Sequence, residues 1–444
     1  MSPRHRLGSG PGLSSHASPP PPSSVPPPAP EPPMTEPAVP ARRARRARAG
    51  FAVAVVVVDA MGIGLIMPVA PDLLAEIAGL GPAEAAPWGG WMAFAYAAAA
   101  FLCGPLVGDL SDRFGRRPVL IAALAALSFD YMIAALAGSI WLLIVARALS
   151  GMAGATYGAA AAYLADITPA DRRARAFGLI GAGFGAGFVL GPMLGGLLGE
   201  FGPRAPFLAA AGLCAAMSLG AALALPESLA PELRRRFDWR RADPFTALRG
   251  AARLPGMAPF LACLALLELA FGVYPSIWSF YAIEVFAWTP AAIGLSLGFV
   301  GLCLALSQGV LMGPAVARFG EMRVAFAGLA FCALSLAIYA VTPPEAWVLV
   351  AIPLIALSAL ANPAIAAMMS HRVEADAQGR LQGVLASLQA LTAALSPPLF
   401  TAIFEAFAGP AAPIRAPGAP FVLALVLTFA AVIPLLAARR RLRA

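Results

Sequence analysis

Gly108-Asp-Leu-Ser-Asp-Arg-Phe-Gly-Arg-Arg-Pro-Val119 carries five charges in twelve residues and lies between two long apolar runs. Neither flank is polar enough for a water-exposed helix, so the segment reads as a short loop at a membrane surface. Outward from it, charge-poor apolar stretches of about 20 residues recur along the chain, each able to cross a hydrocarbon core of roughly 30 Å. Hydrophobic residues make up 60% of the 444 and charged residues 12%, and mean hydropathy is +0.78; a soluble domain is nearer a quarter charged. Backbone groups in lipid must bond internally, and these runs lack the alternation of barrel strands. The fold class is an all-α polytopic membrane protein.

The formal charge of +8 comes from an all-Arg basic set. Its placement reads as topological, with the lipid bilayer as the partner and not nucleic acid. The five Cys stand singly in apolar runs, with neither metal-ligand spacing nor a disulfide framework. The three His (His5, His16, His371) are isolated and outside the membrane. No Ser/His/Asp set, phosphate-binding Gly loop or metal cluster is legible, so the chain reads as a non-enzyme without a bound cofactor.

Residues 1–50 form a separate Pro- and Arg-rich segment, expected to be a disordered tail. Met34 offers an alternative start. The block Arg42–Arg48 precedes the first apolar run as a cytoplasmic anchor or a lipid- or partner-binding tail. Twelve membrane helices are expected near 51–71, 89–109, 118–138, 141–164, 175–199, 205–225, 257–282, 290–314, 322–341, 345–369, 379–405 and 418–437. Arg crowds one set of loops (2–3, 4–5, 6–7, 8–9, 10–11) and the end of the chain, while the opposite loops hold only Arg204 and Arg415. Both termini are therefore expected in the cytoplasm. Gly313–Arg323 occupies in the second half the place that Gly108–Arg117 holds in the first. This weak repeat predicts two pseudo-symmetric six-helix bundles, 51–225 and 257–437, joined by a cytoplasmic loop at 226–256 and followed by a basic tail at 438–444. The substrate site is expected between the bundles near the midplane.

Asp59 lies about eight residues into helix 1, roughly 12 Å deep at 1.5 Å per residue, and Asp130 lies near the middle of helix 3. A carboxylate at such depth must face a cavity, be paired or be protonated. That suits proton handling, and a structural hydrogen-bond network is the other reading. Arg147 in helix 4 keeps its proton and needs an acidic partner, for which Asp59 and Asp130 are the acids at hand. The pair is either a site where substrate charge and proton compete or an ion-pair strut. Glu268 leads an aromatic stretch (Phe271, Tyr274, Trp278, Phe280, Tyr281) in helix 7. It suits a cationic, planar ligand, whereas packing of the rings, with Trp278 and Tyr281 as interfacial anchors, is the alternative. In helix 5, Gly187, Gly191, Pro192, Gly195 and Gly196 form G-x-x-x-G-P-x-x-G-G, whose small residues permit close helix approach. In the opening loop, Gly108 and Gly115 permit close contact and a tight turn, and Asp112 is expected to cap a neighbouring helix while Arg113, Arg116 and Arg117 pair with it. Such a cluster is a gate.

Asp59–Pro68, Leu110–Val119 with Asp130-Tyr131, Gly151–Thr156, Ala165–Thr168, Gly187–Gly196 and Gln378–Gly383 together resemble the tetracycline-efflux group of the major facilitator superfamily. The likeness runs through nearly all of 51–405. It implies an inner-membrane antiporter that exports an amphipathic drug against inward proton flow; tetracycline leaves such carriers as a divalent-metal chelate. By motif it assigns Asp59 and Asp130 to substrate and proton, Arg147 to charge pairing, Asp112 and Arg116 to the gate, and the helix 5 motif to the antiporter branch. The second half departs from the group. Cys332 stands where the group has an acid, Leu304 where it has a His, and Ala366 where it has a Gln; in helix 2, Ala100 also replaces a Gln. These departures predict weak or no tetracycline resistance. A metabolite or sugar carrier of the same fold is the alternative.

Overall fold

The computed structural model describes residues 39–154, 156–235, 245, 250, 256–374 and 377–441, with the side chains of 39–46, 170 and 441 left aside. The Pro-rich tract 1–38, most of the 236–255 stretch of the central loop, Arg443 and the last residues of the basic tail lie outside the described residues. Within them every regular element is helical, and twelve helices are long and apolar enough to cross a membrane. Numbered as spans 1 to 12, they are Ala47–Ile66, Pro82–Phe114, Arg116–Leu136, Ile140–Asp166, Arg173–Gly199, Ala205–Ala224, Ala258–Phe286, Pro290–Phe319, Glu321–Ala340, Ala346–Ser370, Gln378–Ala408 and Ala419–Arg440.

Several ends differ from the hydropathy reading for local reasons. Span 1 stops at Ile66 because Pro68 cannot continue the helical ladder, and a short helix, Ala70–Ala78, follows. Spans 2 and 8 both begin with a proline, Pro82 and Pro290, at the position where a missing N–H costs nothing. Span 7 breaks at Gly272 into Ala258–Phe271 and Val273–Phe286. Span 8 passes through a π-helical turn at Ser307–Leu311, which re-aims the side chains beside it.

Small residues decide where the spans cross. Gly183, Gly187, Gly191 and Gly195 recur on one face of span 5, and a methyl group on any of them would meet Val53, Val57, Met61 or Leu65 of span 1. The next face of the same helix turns to span 8, where Gly196 meets Pro290 and Gly294 meets the Pro192 carbonyl. Gly90 of span 2 packs likewise on Pro397 and Thr401 of span 11. The 5–8 and 2–11 crossings exchange under a shift of six spans, as two pseudo-symmetric bundles require. Span 7 donates a further bond to the end of span 1, from Ser279 Oγ to the Met67 carbonyl at 2.7 Å. All these inter-bundle contacts lie at the end away from the Asp112 loop. Toward that loop, Gly104 and Gly108 on span 2, Gly178 and Gly181 on span 5, Gly309 on span 8 and Gly379 on span 11 meet nothing within 4 Å. The glycine-marked crossings join the bundles at one end, and the glycines toward the Arg-rich end face open space.

Candidate functional site

Arg147 on span 4 faces Asp130 on span 3, and one turn on Gly151 lets span 4 lie directly on the Tyr96 backbone of span 2. Its Nη2 donates to Asp130 Oδ2 in a buried ion pair. The guanidinium also sits over the Tyr131 ring, 5.3 Å from its centroid. The Asp130 side chain is 1% exposed and its Oδ1 has no hydrogen-bond partner; Arg147 is 10% exposed and its Nε is likewise unpartnered. Asp59 does not join this pair. It is buried, with no hydrogen bond or ion pair among the described residues, and Tyr96, Tyr131 and Cys214 lie within range of its charge. The sequence offered Arg147 two acids; the fold gives it one and leaves Asp59 without a fixed cation.

Between the bundles lies a cavity of about 360 Å³, bounded by spans 1, 2, 4, 7 and 11. Its walls are mainly apolar, among them Ile63, Met92, Pro275 and Phe280, and Arg147 is the one charged residue on them. Asp130 stands behind Arg147, off the wall.

A second cavity of about 470 Å³ lies within the second bundle among spans 7, 8, 10 and 11. Glu268 is its acid. Glu268 Oε1 accepts from Asn362 Nδ2 at 2.8 Å and from Gln389 Nε2 at 3.3 Å. Gln308, carried by the π-turn of span 8, and Gln382 line the same space, and the buried Asn362 Oδ1 has no partner. Of these four amides only Gln382 fell within a quoted motif, Gln378–Gly383, and none was given a role at the site. Asn362-Pro363 inside an otherwise apolar run is the signal that marks the place. Leu304 and Ala366, two of the positions that depart from the efflux group, line this cavity; Cys332 does not, its Sγ lying 3.6 Å from Thr428 Oγ1 in the span 9–12 core.

The aromatic stretch divides. Phe271 borders the Glu268 cavity and Phe280 the central one. Trp278 and Tyr281 are not interfacial anchors: they are 5% and 0% exposed, packed with Tyr339, and bonded to Ser296 Oγ and the Tyr339 carbonyl at 2.9 and 3.0 Å. A helical row of rings beside Tyr339 and Phe421 is satisfied by packing inside the bundle.

At the gate, Arg116 Nη1 pairs with Asp112 Oδ1 at 2.6 Å and donates to Ser111 Oγ at 3.1 Å, while its Nε reaches Asp166 Oδ2 at 3.4 Å. Arg113 lies over Phe114, 5.0 Å from the ring centroid. Among the described residues Asp112 caps no neighbouring helix. Glu227 does that work, accepting from the backbone of Arg116 at 2.9 Å and of Arg117 at 3.3 Å at the start of span 3. Gly115, at φ +107°, is required because a side chain there would strike the Glu227 carboxylate. Gly108, expected to sit in a close contact, faces open space instead, with nothing within 4 Å. Glu227 was not legible because the contact spans 111 residues of sequence. Glu227→Gln removes the negative charge from a helix start, worth about 0.3–2 kcal/mol. We expect a lowered unfolding temperature in detergent with the Asp130–Arg147 pair intact; an unchanged temperature would show that the cap contributes nothing.

This arrangement, two helical bundles meeting around a central cavity with buried charges on one side, defines a transmembrane carrier. Residues 52–307 and 260–443 match the Major Facilitator Superfamily, and the chain belongs to it. It is 41% identical to the tetracycline resistance protein, class C, of Escherichia coli over 80% of this chain and 88% of the relative. It is 38% identical to the class G protein of Vibrio anguillarum over 82% and 92%. Among solved structures it is similar to a bacterial homologue of the human lysosomal transporter Spinster in an inward-facing, unoccupied conformation. That likeness has a TM-score of 0.73 and 17% identity, and covers 90% of this chain and 98% of the other.

Proposed function

We propose that this transporter exports an amphipathic compound across the bacterial inner membrane in exchange for protons, with both termini in the cytoplasm. The relatives named for tetracycline resistance support export of a drug-like compound. The observation that carries the reading is the placing of the first-bundle charges: Arg147 faces the central cavity, its counter-ion Asp130 stands behind it, and Asp59 is buried without a cation. In this scheme the cargo's positive charge and the proton compete for the first-bundle carboxylates beside Arg147, so cargo binding releases a proton and protonation releases the cargo. Asp59 exchanges its proton with the same cavity. The apolar walls suit an amphipathic compound better than a sugar, whose hydroxyls need a ring of polar partners. The cluster around Arg116 opens and closes the Arg-rich end. Everted vesicles test the reading: substrate should accumulate with a pH gradient and cease to do so when the gradient is collapsed. Equal accumulation in both conditions rules out proton antiport.

A tetracycline would travel as its cationic metal chelate and would meet Glu268 as the acid of the second bundle. Glu268→Gln keeps the amide partners Asn362 and Gln389 but removes the charge. For a cationic cargo the expected loss is about tenfold in apparent affinity, or ~1.4 kcal/mol. Tetracycline resistance in a sensitive host should be weak for the wild type. Strong resistance that survives Glu268→Gln would remove this cavity from the substrate path.

A further inference from the structure

A cavity of about 790 Å³ opens on the Arg-rich face of the second bundle, and neither the exchange scheme nor the gate uses it. It is lined by the ends of spans 8, 9, 10 and 12, with no residue from the first bundle. Arg323, Arg372 and Arg439 border it. Arg372 lies over the Phe260 ring, 5.3 Å from its centroid, and donates to the Met368 carbonyl. Arg323 and Arg439 have no carboxylate partner among the described residues. The one acid, Glu321, is turned to His371, with Oε1 and Nδ1 3.6 Å apart. Three guanidiniums thus face a space that holds one carboxylate. Phe319, 52% exposed, together with Phe326 and Met368, gives the same space an apolar wall.

The internal repeat shows what this space lacks. Span 3 and span 9 are repeat mates, each starting after a glycine with positive φ, Gly115 at +107° and Gly320 at +79°. At Gly115 the region a side chain would enter is filled by the Glu227 carboxylate, which accepts the first two N–H groups of span 3. At Gly320 the same region is open, with nothing within 4 Å, and it belongs to the basic cavity. The first bundle supplies its own anion; the second presents the equivalent place to the membrane surface, ringed by arginines.

From this contrast we infer that the cavity binds the phosphate of an anionic phospholipid headgroup. Guanidiniums bind phosphate oxygens in a bidentate fork. The helix ends place them at headgroup level, where basic pockets between membrane helices take such lipids, and the apolar wall suits the lipid's glycerol and first methylenes. Native mass spectrometry of the full-length protein, equilibrated with equal amounts of phosphatidylglycerol and phosphatidylethanolamine, tests this. The wild type should retain phosphatidylglycerol selectively. Each of Arg323→Gln and Arg439→Gln should weaken retention about fivefold, with Arg440→Gln, a neighbouring Arg off the cavity, as the control. Unfolding temperatures equal to the wild type certify the variants, and Arg439→Gln, exposed at the end of span 12, serves alone if Arg323→Gln does not fold. Three outcomes would overturn the inference: equal retention of both lipids, equal loss in the Arg440→Gln control, or displacement of the lipid by inorganic phosphate at matched concentration, which would mark a site for free phosphate.

Discussion

Arg147→Ala should destabilise the protein by about 3–5 kcal/mol, the range for breaking a buried ion pair by removing one partner, and should abolish transport. Asp130→Asn should cost less. The asymmetry follows from the surroundings. The Asp130 side chain is 1% exposed and one of its oxygens already lacks a partner, so loss of Arg147 strands a carboxylate with no access to water. Loss of the Asp130 charge instead leaves a guanidinium on the wall of the central cavity, which water can enter, and an Asn oxygen remains to accept its bond. The double variant Arg147→Ala/Asp130→Asn should recover part of the loss, since no charge is then stranded. Unfolding in detergent across this cycle measures the coupling. Additive losses would show that the two residues act independently and would remove the basis for competition beside Arg147.

Asp59→Asn should bring uphill transport to background while the protein folds and binds its cargo. The amide keeps the shape of the carboxylate but cannot cycle a proton. Because Asp59 has no hydrogen bond or ion pair among the described residues, the substitution strands no partner, and a stability loss no larger than the ~1 kcal/mol typical of single substitutions is expected. Transport and stability are therefore separable at Asp59, whereas at Arg147 they fall together. Substrate accumulation by everted vesicles, alongside unfolding temperature, checks both halves. Retained uphill transport in Asp59→Asn would exclude it as the proton carrier.

The helical class, the approximate spans and the three first-bundle charges were legible because each is a local signal: an apolar run, a charged loop, or a charge placed where lipid makes it costly. The partners were not. Sequence left Arg147 between two acids, and only the packing of span 4 on span 3 selects Asp130. Glu227 sits past the end of span 6 and looks like any surface acid until the fold carries it to the start of span 3. The amides around Glu268 come from three different spans, and one of them is aimed by a π-turn that no periodicity announces. Trp278 and Tyr281 misled for the converse reason. A polar-tipped ring near a span end has the composition of an anchor, and only the neighbours Tyr339 and Ser296 show that the tips are satisfied inside the bundle.

Proton movement driven by cargo tests the central claim most directly. In proteoliposomes with no imposed gradient, an outward-directed cargo gradient should draw protons inward through the wild type, seen as acidification of the lumen by a trapped pH-sensitive dye. Asp59→Asn liposomes should show none. Cargo flux through the wild type with no pH change in the lumen would contradict the account.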